Sequence, residues 1–232
     1  MKRETPFTSI IIGSGGGIGL ALKEKLLLST NNDRVICYSK SNDNKLDVTV
    51  EKQIYNAAEE LKKKNIKVNL LINAIGYLHE ENHSPEKRVS EINSNYLLNS
   101  FKINTIGHAL IIKYFSPLMD HDSRSVLACL SARVGSIEDN YLGGWFAYRS
   151  SKAALNQIVK STSIEFARKK SNLILIAIHP GTVLTKLSKP FIKKPGYLTT
   201  NQSANYILNV ISKLNNQDSG GFLDYKGIKI PY

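Results

Sequence analysis

The stretch Ile10-Ile11-Ile12-Gly13-Ser14-Gly15-Gly16-Gly17-Ile18-Gly19-Leu20-Ala21-Leu22 decides the fold. A short apolar run of strand length breaks into a loop dominated by glycine, and residues of helical period follow at once. Glycine permits a tight turn and close backbone approach to a ligand, and the positive end of the next helix attracts anions. Taken alone, such a loop is a flexible turn. Between a strand and a helix at the start of a βαβ pattern, it reads as a cradle for the pyrophosphate of a dinucleotide.

The rest of the chain extends that pattern. Strand-length apolar runs fall at Phe7–Ile12, Arg34–Tyr38, Val68–Asn73, Ser125–Leu130, Leu173–His179 and Phe222–Asp224. Helical periods fall between them, at Ile18–Ser29, Val50–Lys64, Tyr96–Phe115, Ala147–Lys170 and Gln202–Leu214. Near-continuous hydrophobic strands such as Val68-Asn69-Leu70-Leu71-Ile72 are expected of a parallel sheet covered on both faces. The alternation predicts an α/β fold, a doubly wound parallel sheet of Rossmann type. No internal repeat and no linker rich in Pro, Gly or Ser divides the chain. Residues 1–232 are therefore expected to form one dinucleotide-binding and catalytic domain. Pro180, Pro190 and Pro195 mark a loop, expected at about 184–200, rather than a boundary.

With 232 residues, 42% of them hydrophobic, the chain is long enough to bury roughly 70% of its unfolded surface without disulfide or metal staples. The longest apolar stretches, Asn69–Leu78 and Ala109–Leu118, are far short of the ~20 residues of a spanning helix, so no membrane association is expected. The net charge of +12 comes from 31 Lys and Arg against 19 Asp and Glu. The basic residues are scattered, with short clusters at Lys62–Lys64, Arg168–Lys170 and Lys193–Lys194, and no basic-aromatic repeat or zinc finger accompanies them. They read as a solvated surface rather than a nucleic-acid interface. Cys37 and Cys129 lie in apolar, strand-like runs without CxxC spacing, and His79, His83, His108, His121 and His179 show no ligand spacing, so no metal site is expected. Met1-Lys2-Arg3-Glu4 and the brief apolar run after it do not read as a targeting segment, and a reducing cytoplasm fits the cysteines.

The second chemical signal is Tyr148-Arg149-Ser150-Ser151-Lys152. Residues four apart share a helix face, so the Lys152 ammonium can approach the Tyr148 phenol and stabilise its phenolate. A phenol so tuned can give a proton to a carbonyl oxygen, or take one from an alcohol, as hydride moves. Alone, this pair also fits an ordinary amphipathic helix.

With the glycine loop and this pair in order, the chain resembles the short-chain dehydrogenase/reductase family along essentially its whole length. It is most similar to the small reductases grouped with the bacterial C-factor and the fly sniffer carbonyl reductase. The loop matches the family pattern through Gly13, Gly17, Ile18 and Gly19, with Ser14 inside it and Ile12 replacing the usual threonine. Leu46-Asp47-Val48 matches the segment whose aspartate contacts adenine. Asn73-Ala74-Ile75-Gly76 keeps the first Asn and the Gly of the family's NNAG but loses its second Asn. Ile103-Asn104-Thr105-Ile106-Gly107 matches the segment whose Asn holds a proton-relay water. His179-Pro180-Gly181-Thr182-Val183-Leu184-Thr185 matches the segment beside the nicotinamide. Leu142-Gly143-Gly144-Trp145 and Asp224-Tyr225-Lys226-Gly227 look like the C-factor group.

The resemblance implies a coenzyme site formed by Gly13, Ser14, Gly17, Ile18, Gly19, Ser39, Lys40, Asp47, Val48, Asn73, Ala74, Gly76, Tyr148, Lys152, Pro180, Gly181, Val183 and Thr185. It implies Tyr148 as proton donor, Lys152 and Asn104 as its supports, and a serine that orients the carbonyl. In Leu130-Ser131-Ala132-Arg133-Val134-Gly135-Ser136, gapless alignment on Gly135 puts Ala132 at the serine position. Ser131, reached by a one-residue shift, is the first replacement and Ser136 the second. A third possibility is that neither touches substrate.

An acidic residue after the second strand would favour NAD, whereas a cation accommodates the 2′-phosphate of NADP. Ser39 and Lys40 stand there, and Asp43 lies too far along the loop, so NADP is expected over NAD. The Tyr141, Trp145 and Phe146 cluster suits either a pocket wall or local core. The reading is thus an NADPH-dependent reductase of a small aldehyde or ketone, or an enzyme of the reverse alcohol oxidation, and the resemblance implies assembly as a homo-dimer or tetramer. The competing reading is a dinucleotide-binding signalling or sensor protein of the C-factor type. An epimerase of the extended branch is disfavoured, because 232 residues leave no room for a separate substrate domain.

Overall fold

A computed structural model describes residues 6–41, 44–80, 83–192 and 195–232. The expectations on Asp43, on Lys193–Lys194 and on the first four residues lie outside them. Six strands form one parallel sheet: β1 (Thr8–Ile12), β2 (Arg34–Tyr38), β3 (Leu70–Asn73), β4 (Ser125–Leu130), β5 (Leu173–His179) and β6 (Phe222–Asp224). Their order in space is β2-β1-β3-β4-β5-β6. This is the doubly wound, single-domain Rossmann-type sheet that the sequence predicts.

Side chains alternate across a strand, so each apolar run feeds two cores. Leu71, Leu127, Cys129 and Leu175 point to one face, against α2 (Glu51–Lys63), α4 (Gly107–Phe115) and α5 (Phe146–Arg168). Leu70, Ile72, Val126, Ala128, Ile174 and Ile176 point to the other, against α1 (Gly17–Leu28) and α6 (Thr200–Lys213). Burial on both faces is why these strands carry no polar alternation. Among the described residues, no helix is long and apolar enough to cross a membrane.

Differences from the sequence reading are local. Val68 is only an isolated bridge to Met119, and the third strand begins at Leu70. The helical run expected at Tyr96–Phe115 starts earlier, as α3 (Ser94–Phe101), because the Asn93 side chain accepts from Tyr96 N at 3.1 Å. It then passes through a π-helical turn, Lys102–Ile106, before continuing as α4. The last helix begins at Thr200, where Thr199 and Gln202 form a reciprocal capping box.

Besides its apolar face, α1 meets the turn after β1 through a close backbone contact. A methyl at Gly19 would overlap the Gly13 carbonyl, whose carbon would lie 2.8 Å away. Gly19→Ala should therefore destabilise the fold by about 1–3 kcal/mol or more, through forced separation of helix and strand. Gly16→Ala, whose methyl would first meet Gly13 O at 3.5 Å, should cost less than about 1 kcal/mol. Thermal unfolding of the two variants checks the contrast.

Candidate active site

The sheet changes winding direction at β1, which has β2 on one side and β3 on the other. Ile12 stands opposite both Tyr38 and Asn73, so three strands end level and their loops diverge there. In open α/β sheets this switch point is where ligands bind. Gly13 turns with φ +87°, and Gly13 N and Ser14 N donate to Tyr38 O at 2.8 and 3.1 Å. The first turn of α1 has no side-chain cap and no acidic residue, so its N–H groups remain available to an anion. A methyl at Gly17 would sit 3.0 Å from Thr185 Cγ2 and narrow the space between this loop and the segment after β5. These glycines keep a backbone-lined cradle open, and it fits the pyrophosphate of a dinucleotide coenzyme. Ser14 turns both its backbone N–H and its hydroxyl inward to Tyr38 O, at 3.1 and 3.2 Å.

A cleft of about 320 Å³ lies at one end of this loop. Gly13, Ser39, Lys40, Val48, Ala74 and Gly76 of the expected set line it, joined by Gly15, Gly16, Ser41, Thr49, Tyr77 and Ile103. Lys40 does not stand free: its ammonium pairs with Asp47 at 2.9 Å. Burial pushes the Asp47 carboxyl up, but hydrogen bonds from Thr49 and Lys40 outweigh it and hold the group below the usual carboxylate range. Asn73 is fully buried at the end of β3, and its Oδ1 accepts from Ile75 N at 3.4 Å.

The π-helical turn positions Asn104. Its Oδ1 accepts from Tyr77 N at 2.8 Å, and its Nδ2 donates to Tyr77 O at 2.8 Å and to Ser151 Oγ at 3.1 Å. The loop after β3 is thereby tied to α5 beside Lys152. π-Turns inside helices recur at functional sites because they redirect side chains without ending the helix.

Tyr148 and Lys152 lie one turn apart on α5. Lys152 is 1% exposed and donates from Nζ to Leu130 O at 2.8 Å. Burial lowers its pKa to about 8. Burial also raises the Tyr148 phenol to about 12. His108, fully buried with Nε2 3.1 Å from Ile75 O, is held well below its ordinary value by burial and by the Lys152 charge.

A second cleft, of about 450 Å³, opens at the other end of the loop. Ile18, Ser131, Tyr148, Pro180, Gly181, Val183 and Thr185 line it, with Leu78, Ala132, Leu142, Trp145, Leu187 and Phe191 as apolar walls. Part of the expected 184–200 loop thus faces this cleft, its ends pinned by the Val183–Leu198 bridge. Ser131 and Ala132 both line the cleft, whereas Ser136 does not. Ser131 Oγ donates to Asn156 Oδ1 at 2.6 Å, and Ser136 Oγ accepts from Asp139 N at 3.0 Å. Trp145 belongs to the pocket wall. Gly15 and Gly16 were legible in the same glycine run, but nothing local in the sequence marks Tyr77, Ile103 or Phe191 as cleft residues.

A family model described as enoyl-(acyl carrier protein) reductase matches residues 35–214. The C-signal of Myxococcus xanthus is 33% identical over 133 residues, which are 57% of this chain and 76% of that protein. Among solved structures, the carbonyl reductase Sniffer of D. melanogaster superimposes with a TM-score of 0.85 at 23% identity, covering 98% of this chain and 100% of that one. An NADPH-bound carbonyl reductase from chicken fatty liver gives a TM-score of 0.86 at 25% identity, covering 99% and 96%.

The buried lysine has a stability consequence with a definite sign. Its folded-state pKa of about 8 lies below the ordinary 10.5, so the cost of burying the charge is full below pH 8 and fades towards pH 10.5. Lys152→Met should raise stability at pH 7 by about 1–3 kcal/mol, after the lost hydrogen bond to Leu130 is counted. The gain should shrink as pH rises through 8–10.5, as read by denaturant melts across that range.

Proposed function

The chain belongs to the short-chain dehydrogenase/reductase family of oxidoreductases, and from that premise we propose that it reduces a small aldehyde or ketone with NADPH, or catalyses the reverse oxidation of the alcohol with NADP+. One observation carries this reading. A phenol that keeps its proton through the neutral range, Tyr148, faces a cleft with apolar walls that Arg133, Asp139 and Arg149 also line, beside the glycine loop and with a buried lysine one turn along the same helix.

The cradle and Lys40 would hold the coenzyme, which when bound supplies the hydride. Tyr148 gives its proton to the carbonyl oxygen. The phenolate left behind is charged in a buried site, and the Lys152 ammonium offsets that charge. Asn104, bonded to the residue next to Lys152, supports a water link from Lys152 to solvent. Ser131 is the serine that orients the carbonyl, by moving its hydrogen bond from Asn156 Oδ1 to the substrate oxygen. Leu187, Ser188, Phe191 and Ile192, from the loop after β5, would cover the bound substrate. The pairing of Lys40 with Asp47 makes its contact with a 2′-phosphate a competition, which moderates the preference for NADPH over NADH. The family resemblance supports assembly as a homo-dimer or tetramer. The likeness to a C-signal favours a second reading, a dinucleotide-binding signalling protein with little turnover.

Tyr148→Phe should lower carbonyl reduction roughly 10²–10⁴-fold while leaving NADPH affinity unchanged, as read by steady-state rates and coenzyme titration. Wild-type turnover in this variant would sink the mechanism, and its absence in the wild type would favour the signalling reading. Reduction should also fall above pH 8, as Lys152 loses its proton.

Lys40→Asp should turn a roughly 5-fold preference for NADPH into one for NADH, because a carboxylate repels the phosphate and accepts from ribose hydroxyls. Titration with both coenzymes decides this, and an unchanged preference would return Lys40 to the ordinary surface lysines.

A further inference from the structure

Trp145, the single tryptophan of the chain, stands at the N-cap of α5 with φ 53° and ψ 42°. A left-handed conformation is strained for a bulky side chain and persists only where its surroundings impose it. Gly143 and Gly144 before it also have positive φ, 62° and 63°, so the chain makes three successive left-handed steps into the helix.

The turn is held from two sides. Trp145 N donates to the Glu86 carbonyl, and Ala147 N donates to Glu86 Oε2 at 3.4 Å. On the other side, Arg149 Nε donates to the carbonyls of Gly143 and Gly144 at 3.2 and 3.0 Å. Glu86 is 1% exposed, and its Oε1 is buried with no hydrogen-bond partner among the described residues. Burying a carboxyl group in this way is unfavourable. Glycine is needed at 144, where φ is positive and a methyl would lie 3.1 Å from Glu86 O.

This arrangement places the indole in the second cleft. Its ring lies edge-on to Tyr148, 6.2 Å between centroids at 65°, and edge-on to Phe191, 5.3 Å at 68°. Phe191 in turn meets His79 edge-on at 5.2 Å. A row of ring contacts therefore runs Tyr148–Trp145–Phe191–His79, and its first three members line the cleft.

We propose that Trp145 is the specificity-determining residue of this site, and that its substrates are carbonyl compounds with an aromatic ring attached to the C=O. The proposal rests on the carbonyl-reductase reading and names its substrate class. An aryl ring offers a quadrupole to the indole and phenyl edges, worth roughly 2–10-fold per ring contact beyond the area buried. A saturated ring of the same size buries similar area without that attraction. Glu86 and Arg149 act through Trp145 as positioning residues.

The test compares benzaldehyde with cyclohexanecarbaldehyde in the wild-type protein, Trp145→Leu and Phe191→Leu, each with NADPH. Comparing the ratio of kcat/KM values between proteins cancels the intrinsic reactivity of the aldehydes. Both variants should lower the benzaldehyde-to-cyclohexanecarbaldehyde ratio by roughly 5–10-fold, chiefly through KM for benzaldehyde. Phe191→Leu leaves the left-handed turn intact, so the test survives if Trp145→Leu does not fold. An unchanged ratio in the folded variants overturns the proposal.

Fluorescence of the single tryptophan gives a readout that needs no turnover. Benzaldehyde should quench it saturably in the wild type, at lower concentration than cyclohexanecarbaldehyde, and Phe191→Leu should narrow that difference. Equal midpoints for the two aldehydes in the wild type overturn the aromatic wall. If the wild type reduces neither aldehyde but shows the expected quenching, the carbonyl-reduction reading falls and the aromatic site stands.

Discussion

The approach of α1 to the turn after β1 is a backbone-to-backbone contact, with Gly19 laid against the Gly13 carbonyl, and the rest of the site depends on it. A side chain at position 19 would lift the helix from the strand. The uncapped N–H groups of the first helical turn would then leave the switch point of the sheet. Because β1, β2 and β3 end level, that helix start also sets where the loops carrying Lys40 and Tyr77 meet. One cleft is lined by Gly13, Gly15 and Gly16 of this loop and the other by Ile18, so both open beside this one contact.

Electrostatics and stability oppose each other at the centre of the molecule. Lys152 and His108 are buried on the face of the sheet that packs α4 and α5, and burial works against the charged form of each. Lys152 donates to a carbonyl, Leu130 O, in place of water. A chain shaped for stability alone would place an apolar residue there. Desolvation likewise raises the Tyr148 phenol, so it keeps its proton through the neutral range. Of these three groups, Tyr148 lines the second cleft.

Long-range polar tethers turn the sheet into a site. Asn104 joins the loop after β3 to α5 through Tyr77 and Ser151, with Thr105 adding a bond to Ser151 O at 2.7 Å. Asn156 holds Ser131 Oγ and, through its Nδ2, Gly135 O at 3.3 Å, so the segment after β4 is fastened to the same helix. Glu86 fastens a third loop to the start of that helix. α5 is thus the common anchor of the loops around the cleft, and the π-helical turn is the local distortion that lets Asn104 reach it.

The sequence by itself determined the sheet, the glycine loop between β1 and α1, and the placing of Tyr148 and Lys152 one turn apart on a helix. Those features are written in local spacing: continuous apolar runs for strands covered on both faces, glycines where a helix must touch a strand, and a four-residue interval on a helix. Ser131 over Ser136 as the residue facing the cleft, the inward turn of the Ser14 hydroxyl and the engagement of Lys40 by Asp47 were decided by tertiary structure. So were the π-helical turn at Asn104 and the left-handed Trp145. Each depends on a partner that local spacing does not specify: Asn156 lies 25 residues from Ser131, Tyr77 lies 27 from Asn104, and the Ala147–Glu86 tie spans 61. Local pattern encodes which face of an element is buried, but the direction of a loop side chain is set by whichever distant group the folded chain brings against it.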